Sequence, residues 1–256
     1  MKIHHICFFS QILNRDFEYR AIIPETQSQS PFPVLILLHG YGGNSMEWLE
    51  KSSINRLAED YSMAVILPSA GDRYYLDNPA TGNMTIFIGK ELVEDVRKRF
   101  PTLSTKRDET YIGGVSMGGF GAALIGFTHP TVFSKIVSLS GAFILHAVSI
   151  GDPLVLGNAE PAYFKKLFGD DLTLLEGSRF DPVCAAAKTL QTGYAPSIYL
   201  LCGKNDALYQ PNLRFRTQLQ VLGLNADWHE VAGGHAWSVW NEHLETLFCW
   251  LQNDTV

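Results

Sequence analysis

A serine set among glycines, in Gly114-Val115-Ser116-Met117-Gly118-Gly119, has the pattern of a nucleophile displayed on a tight turn. The residues before it, Thr110 to Gly113, read as a strand; those after it, Met117 to Thr128, read as a helix rich in small residues. Such a strand-turn-helix strains the serine backbone and pushes Oγ out above the sheet, while the glycines leave room for the neighbouring strand and helix. The competing reading is a glycine-rich turn whose serine only caps the helix. A serine hydroxyl attacks carbonyls only when a histidine takes its proton and a carboxylate fixes the tautomer of that histidine. His235, in Gly233-Gly234-His235-Ala236-Trp237, and Asp206, in Gly203-Lys204-Asn205-Asp206, each follow a strand-like run. The order Ser116, Asp206, His235 is the nucleophile–acid–histidine order expected when an α/β sheet carries this chemistry. Asp206 taken alone would serve equally well as a turn aspartate. His4, His5, His129, His146, His229 and His243 lie in leading, helical, strand or inserted segments and read as surface or packing residues.

Acyl transfer creates an alkoxide that fixed donors must stabilise. Leu38-His39-Gly40-Tyr41-Gly42-Gly43 follows a buried strand, and its glycines let backbone N–H groups face the site. The donors assigned are the N–H groups of Tyr41 and of Met117, the residue after the nucleophile; His39 reads as a brace for the loop. Substrate walls are harder to read. Tyr74 and Tyr75, in the loop Ser69 to Pro79 with Asp72 and Arg73, and Trp48 and Trp237, beside the two catalytic loops, are the candidates, with packing as the alternative for each.

The elements that must position these residues alternate. Phe17 to Ile23 reads as an edge strand, and Val34 to Leu38 and Ala64 to Leu67 as strands buried on both faces. Helices are expected over Met46 to Tyr61, Thr85 to Phe100, Asn212 to Leu222 and Ala236 to Leu251, with further strands at Ile136 to Leu139, Ser197 to Cys202 and Ala226 to Val231. The second of these helices shows Ile88, Leu92, Val96 and Phe100 at four-residue spacing. Strand and helix in alternation imply a mostly parallel sheet of about eight strands covered on both faces. Two opening strands forming a hairpin would add an antiparallel edge, and Thr26 to Ser30 reads as a hairpin connection. Residues 142 to 195 break the rhythm, with helices expected at Ala162 to Phe168 and Pro182 to Leu190. They read as a cap-like insertion within one domain spanning 1–256, walling a pocket above the strand ends, with a passive surface excursion as the equal alternative.

With 256 residues, 46% of them hydrophobic and 18% charged, the chain can bury a large core and is not a disordered polymer. A net charge of −6 without a basic block excludes a nucleic-acid or anionic-membrane partner. Cys7, Cys184, Cys202 and Cys249 form no paired motif, so neither a zinc site nor a disulfide framework is expected. The apolar patch Ile6 to Phe9 is too short for a secretory or membrane-spanning segment, and the expectation is a soluble, cytoplasmic protein.

With these motifs in hand, the chain resembles the esterase D / tributyrin-esterase branch of the α/β-hydrolases over most of its length. The marks are the leading hairpin, the Leu38 to Asn44 glycine motif, Leu67-Pro68-Ser69, Gly114 to Gly121, Cys202-Gly203 ahead of Asp206, and Gly233 to Trp237. The resemblance implies the α/β-hydrolase fold, hydrolysis of short acyl esters such as tributyrin or acetyl esters, a small-molecule ester as substrate and no cofactor or metal. It leaves a homo-oligomer open. S-formylglutathione hydrolases of the same branch carry histidines where this chain has Val115 and Phe120, and no cysteine lies near the Tyr41 loop. That favours simple carboxylic esters, with thioester or carboxypeptidase-like hydrolysis on the same triad as the alternative. A catalytically silent binding module is the rival of another class.

Overall fold

A computed structural model describes residues 1–25, 31–78, 82–157 and 159–253. Eight strands build its central sheet: β1 (Lys2–Ser10), β2 (Arg15–Ile23), β3 (Val34–Leu38), β4 (Ala64–Pro68), β5 (Thr110–Val115), β6 (Lys135–Leu139), β7 (Ser197–Gly203) and β8 (Ala226–Val231). Their spatial order is β1-β2-β4-β3-β5-β6-β7-β8; β2 runs antiparallel to both its neighbours, β1 and β4, and the remaining pairs are parallel. This is the α/β-hydrolase architecture. Strands β3 to β6 are buried along their whole length, and β3 and β4 accordingly read as unbroken apolar runs.

The antiparallel edge differs from expectation. β1 pairs with β2 over nine residues and forms the edge itself, so Phe17 to Ile23 is an inner strand flanked by β1 and β4. The expected hairpin connection Thr26 to Ser30 lies outside the described residues, and the strands on either side of it, β2 and β3, are not neighbours, because β4 lies between them. Strand β1 carries Lys2, His4 and His5 and alternates poorly; pairing with β2 makes it a strand, not its own pattern.

Two expected long helices are broken. The Met46 to Tyr61 segment forms Glu47–Lys51 and Ile54–Asp60. Ser52 Oγ donates back to the Trp48 carbonyl (2.6 Å), and Ser53 donates through both N–H and Oγ to Asn241 Oδ1 (2.7 and 3.0 Å), so the serine pair leaves the helical ladder. The last helix likewise divides into Trp237–Glu242 and Leu244–Gln252 at His243. The helix over 84–99 widens into a π-turn at Phe87–Leu92. The His129 ring packs against this turn, so closely on Gly89 that a Cβ there would lie 2.2 Å from His129 Cδ2.

Apolar cores lie on both faces of the sheet. One gathers Phe87, Phe120, Phe127 and Phe133, the other Trp48, Leu57, Tyr199 and Phe248. Between β6 and β7 the chain forms the helices Leu145–Ile150, Pro153–Leu156, Pro161–Phe168 and Pro182–Thr189. Among the described residues no helix is long and apolar enough to cross a membrane, and no cluster of three or more His, Cys, Asp or Glu side chains could hold a metal ion.

Candidate active site

Ser116 leaves β5 with φ 54° and ψ −118°, a conformation that residues with a side chain rarely adopt. Neighbouring backbone holds it there. Its N–H donates to the Leu139 carbonyl (2.9 Å), and its carbonyl accepts from the N–H groups of Phe120 (3.1 Å) and Ala142 (2.9 Å). The flanking glycines permit the close approach. A Cβ on Gly114 would lie 2.5 Å from the Gly118 carbonyl carbon, and one on Gly118 would lie 2.5 Å from the Leu38 carbonyl oxygen.

The other two candidate residues converge on it. Ser116 Oγ lies 3.0 Å from His235 Nε2, and His235 Nδ1 lies 2.8 Å from Asp206 Oδ2. An ionised carboxylate only accepts, so the imidazole proton sits on Nδ1 and leaves Nε2 free to take the serine proton. The Asp206 side chain is fully buried. Burial alone would raise its affinity for a proton, but hydrogen bonds from His235 and from the Leu208 N–H (2.8 Å) outweigh that and hold it below the usual carboxylate range. His235 reaches this place because Gly233, at φ 107°, turns the chain out of β8, and the Asn205 N–H ties back to the Gly233 carbonyl (2.9 Å).

The glycine loop after β3 is braced from below. His39 Nε2 accepts from the Ala70 N–H (3.0 Å), so His39 Nδ1 carries the proton and donates to the Gly40 carbonyl (2.7 Å). Burial pushes its pKa down, which keeps the ring neutral. Tyr75 Oη donates to the His39 carbonyl (3.0 Å), and Asp72 Oδ1 accepts from the Gly42 N–H (2.6 Å). Among the described residues, neither the Tyr41 nor the Met117 N–H has an acceptor.

Cavities open on both sides of Ser116. One, of about 510 Å³, is lined by Tyr41, Tyr74, Ile144, Leu156, Tyr163 and Phe164. The other, of about 310 Å³, is lined by Tyr41, Glu47, His235, Trp237 and Trp240. Tyr74 and Trp237 therefore stand where the sequence reading put them. Trp48 and Tyr75 do not line either cavity. Both are fully buried, Trp48 donating from Nε1 to the Leu38 carbonyl (3.2 Å) and Tyr75 propping the glycine loop, so their aromatic bulk is spent on packing. Sequence reasoning missed Tyr163 and Phe164, which sit in the helix expected within the 142 to 195 segment, and Trp240, one helical turn after Trp237. The pair spacing Trp237/Trp240 was the available signal for the last.

The family described as "Putative esterase" matches residues 10–251. An acetyl esterase of Caldicellulosiruptor saccharolyticus is 36% identical, over 98% of this chain and 98% of that one. The fold superposes on FphF, a fluorophosphonate-binding serine hydrolase of Staphylococcus aureus, with a TM-score of 0.88 at 26% identity, covering 99% of each chain. It superposes on the S-formylglutathione hydrolase FrmB of the same organism with a TM-score of 0.83 at 26% identity, covering 99% of this chain and 100% of that one. A sheet of this order, a serine on a strained turn and a profile match along nearly the whole sequence converge on one assignment: the chain belongs to the esterase family.

Proposed function

We propose that the protein is a serine carboxylesterase that cleaves short acyl esters of small alcohols. The observation that carries this is the unbroken line Ser116 Oγ, His235 Nε2, His235 Nδ1, Asp206 Oδ2, at 3.0 and 2.8 Å. Ser116 Oγ attacks the ester carbonyl as its proton passes to His235 Nε2. The carbonyl oxygen becomes an alkoxide between the N–H groups of Tyr41 and Met117, a contribution of several kcal/mol in sites of this type, about 3 for one donor. Asp206 stabilises the imidazolium. His235 then gives the proton to the leaving alcohol, and water repeats the sequence on the acyl-enzyme.

The leaving oxygen must sit within reach of His235, so the alcohol occupies the cavity that contains His235 and the acyl group the one beneath Tyr163 and Phe164. The acetyl esterase likeness supports a short acyl group; the roughly 510 Å³ available leaves room for a longer one. The test is turnover of p-nitrophenyl acetate, butyrate and octanoate by the wild type and Ser116→Ala. The variant should lose nearly all activity while keeping the fold; wild-type turnover by Ser116→Ala would end the assignment. One observation favours a second reading: the likeness to FrmB spans almost the full length of both chains. A preference for S-formylglutathione over all three oxygen esters would select it.

A further inference from the structure

Tyr74 and Tyr75 are consecutive residues with φ 54° and 58°, a left-handed backbone that residues with a side chain rarely adopt. Tyr75 pins this turn. Its hydroxyl donates to the His39 carbonyl, its carbonyl accepts from Thr85 Oγ1 at 2.9 Å, and its ring fills the space beside Gly121, where a Cβ would lie 2.5 Å from Tyr75 Cδ2. Tyr74 instead lines the cavity of about 510 Å³ beside Ser116, its ring set edge-on to Phe120 and Phe168 with centroids 5.6 and 6.1 Å away. The fold gives the Tyr74 hydroxyl no bond of its own. The residue is 7% exposed, and among the described residues nothing hydrogen-bonds its Oη. Nor is that oxygen sealed inside the core, so the cavity is where it meets solvent or ligand.

The other phenols of this cavity differ. Tyr163 Oη spends its proton on the Asp72 carbonyl at 3.2 Å, and Tyr41 is 60% exposed. Ala142, Ile144, Leu156 and Phe164 are apolar wall, and Glu160 is exposed. We propose that Tyr74 is a specificity-determining residue: its Oη donates to a second oxygen on the acyl group, so the preferred acyl groups are short chains bearing an oxo, hydroxy or alkoxy oxygen beyond the reacting carbonyl. Burial pushes the Tyr74 phenol above its ordinary value, so it keeps the proton it donates. A plain alkyl chain of the same length covers the hydroxyl and strands it without a partner. Sites built to hydrogen-bond a substrate oxygen penalise the analogue that lacks it for this reason.

This inference rests on the esterase reading with the acyl group in this cavity, and the experiment separates the two. Two ester pairs are compared, p-nitrophenyl methoxyacetate with butyrate and p-nitrophenyl 4-oxopentanoate with pentanoate, which place the extra oxygen nearer to and farther from the carbonyl. Each is turned over by the wild type and by Tyr74→Phe, which keeps the ring and removes the hydroxyl. The quantity read is the ratio of kcat/KM within a pair, compared between the two proteins, so the intrinsic reactivity of each ester cancels. In at least one pair that ratio should fall roughly tenfold in Tyr74→Phe, the worth of one hydrogen bond, through a loss on the oxygen-bearing ester and a gain on the plain one. The thermal midpoint should not fall, because the hydroxyl holds nothing in the free protein. Ratios unchanged within about twofold in both pairs would overturn the proposal. So would an equal loss on all four esters, which marks a donor to the reacting carbonyl or, with a lowered midpoint, a merely structural tyrosine. The esterase reading stands through any of these results while the wild type cleaves the esters and Ser116→Ala does not; turnover by Ser116→Ala removes both.

Discussion

Replacing Gly118 with alanine places one methyl group between the two backbones proposed to form the oxyanion site. The added Cβ would lie 2.5 Å from the Leu38 carbonyl oxygen and 2.6 Å from that of His39. Ordinary contact begins near 3.4 Å, so the helix carrying Met117 must retreat from β3 by about 0.9 Å. Neither neighbour can swing aside, because both are backbone. Forcing such a contact costs about 1–3 kcal/mol of stability, which lowers the midpoint of a chain this size by about 2–4 °C for each kcal/mol. The effect on catalysis is larger. The retreat separates the Met117 N–H from the Tyr41 N–H, and a displacement near 1 Å costs roughly 100-fold in rate. Gly42→Ala is the control: nothing lies within 4 Å of its would-be Cβ, and only φ 74° opposes it. It should cost about 1 kcal/mol through backbone strain. The assay is kcat/KM for p-nitrophenyl acetate beside thermal midpoints of both variants. If Gly118→Ala keeps wild-type kcat/KM, the carbonyls of Leu38 and His39 do not set the spacing of the site, and the reasoning fails.

Other expectations follow from features away from the serine. Gly89→Ala drives a methyl into the His129 ring and should destabilise by about 1–3 kcal/mol, read by urea unfolding, with kcat unchanged because the contact lies outside the site. His39 and His129 are both held below the ordinary histidine value by burial, so the unfolded chain takes up protons first as pH falls. Stability should therefore be full above about pH 6.5 and decline below it; His129→Gln should flatten that decline, and an equally steep curve would contradict the assignment. Lys135 Nζ donates to the carbonyls of Trp250, Leu251 and Asn253 at 3.2, 2.9 and 2.5 Å, where the last helix ends. Lys135→Met should lower unfolding free energy by about 2 kcal/mol through three lost bonds to a charged donor at the helix's negative end, measured by urea denaturation.

The candidate triad was legible because Ser116, Asp206 and His235 each follow a strand, and the strands before Ser116 and Asp206 are buried and largely apolar. Glycines beside them mark turns that no other residue tolerates. What escaped depends on partners distant in the chain. At the break Ser52–Ser53 the chain bonds Asn241, and at the π-turn Phe87–Leu92 it packs on His129; neither partner is visible in a local window. Trp48 and Tyr75 look like substrate walls by position along the chain, and only the fold shows their rings facing inward.

With the alcohol and acyl group in the cavities proposed for them, the acyl-enzyme is a branch point. When the alcohol departs, the space among Tyr41, Trp237 and Trp240 empties while the acyl group stays tethered on the other side of Ser116. Water enters that space to finish hydrolysis, but any small alcohol that fits it meets the same histidine and can accept the acyl group instead. On the proposed assignment, the balance between breaking esters and exchanging them is set by about 310 Å³ walled by two tryptophans, apart from the cavity proposed for the acyl chain.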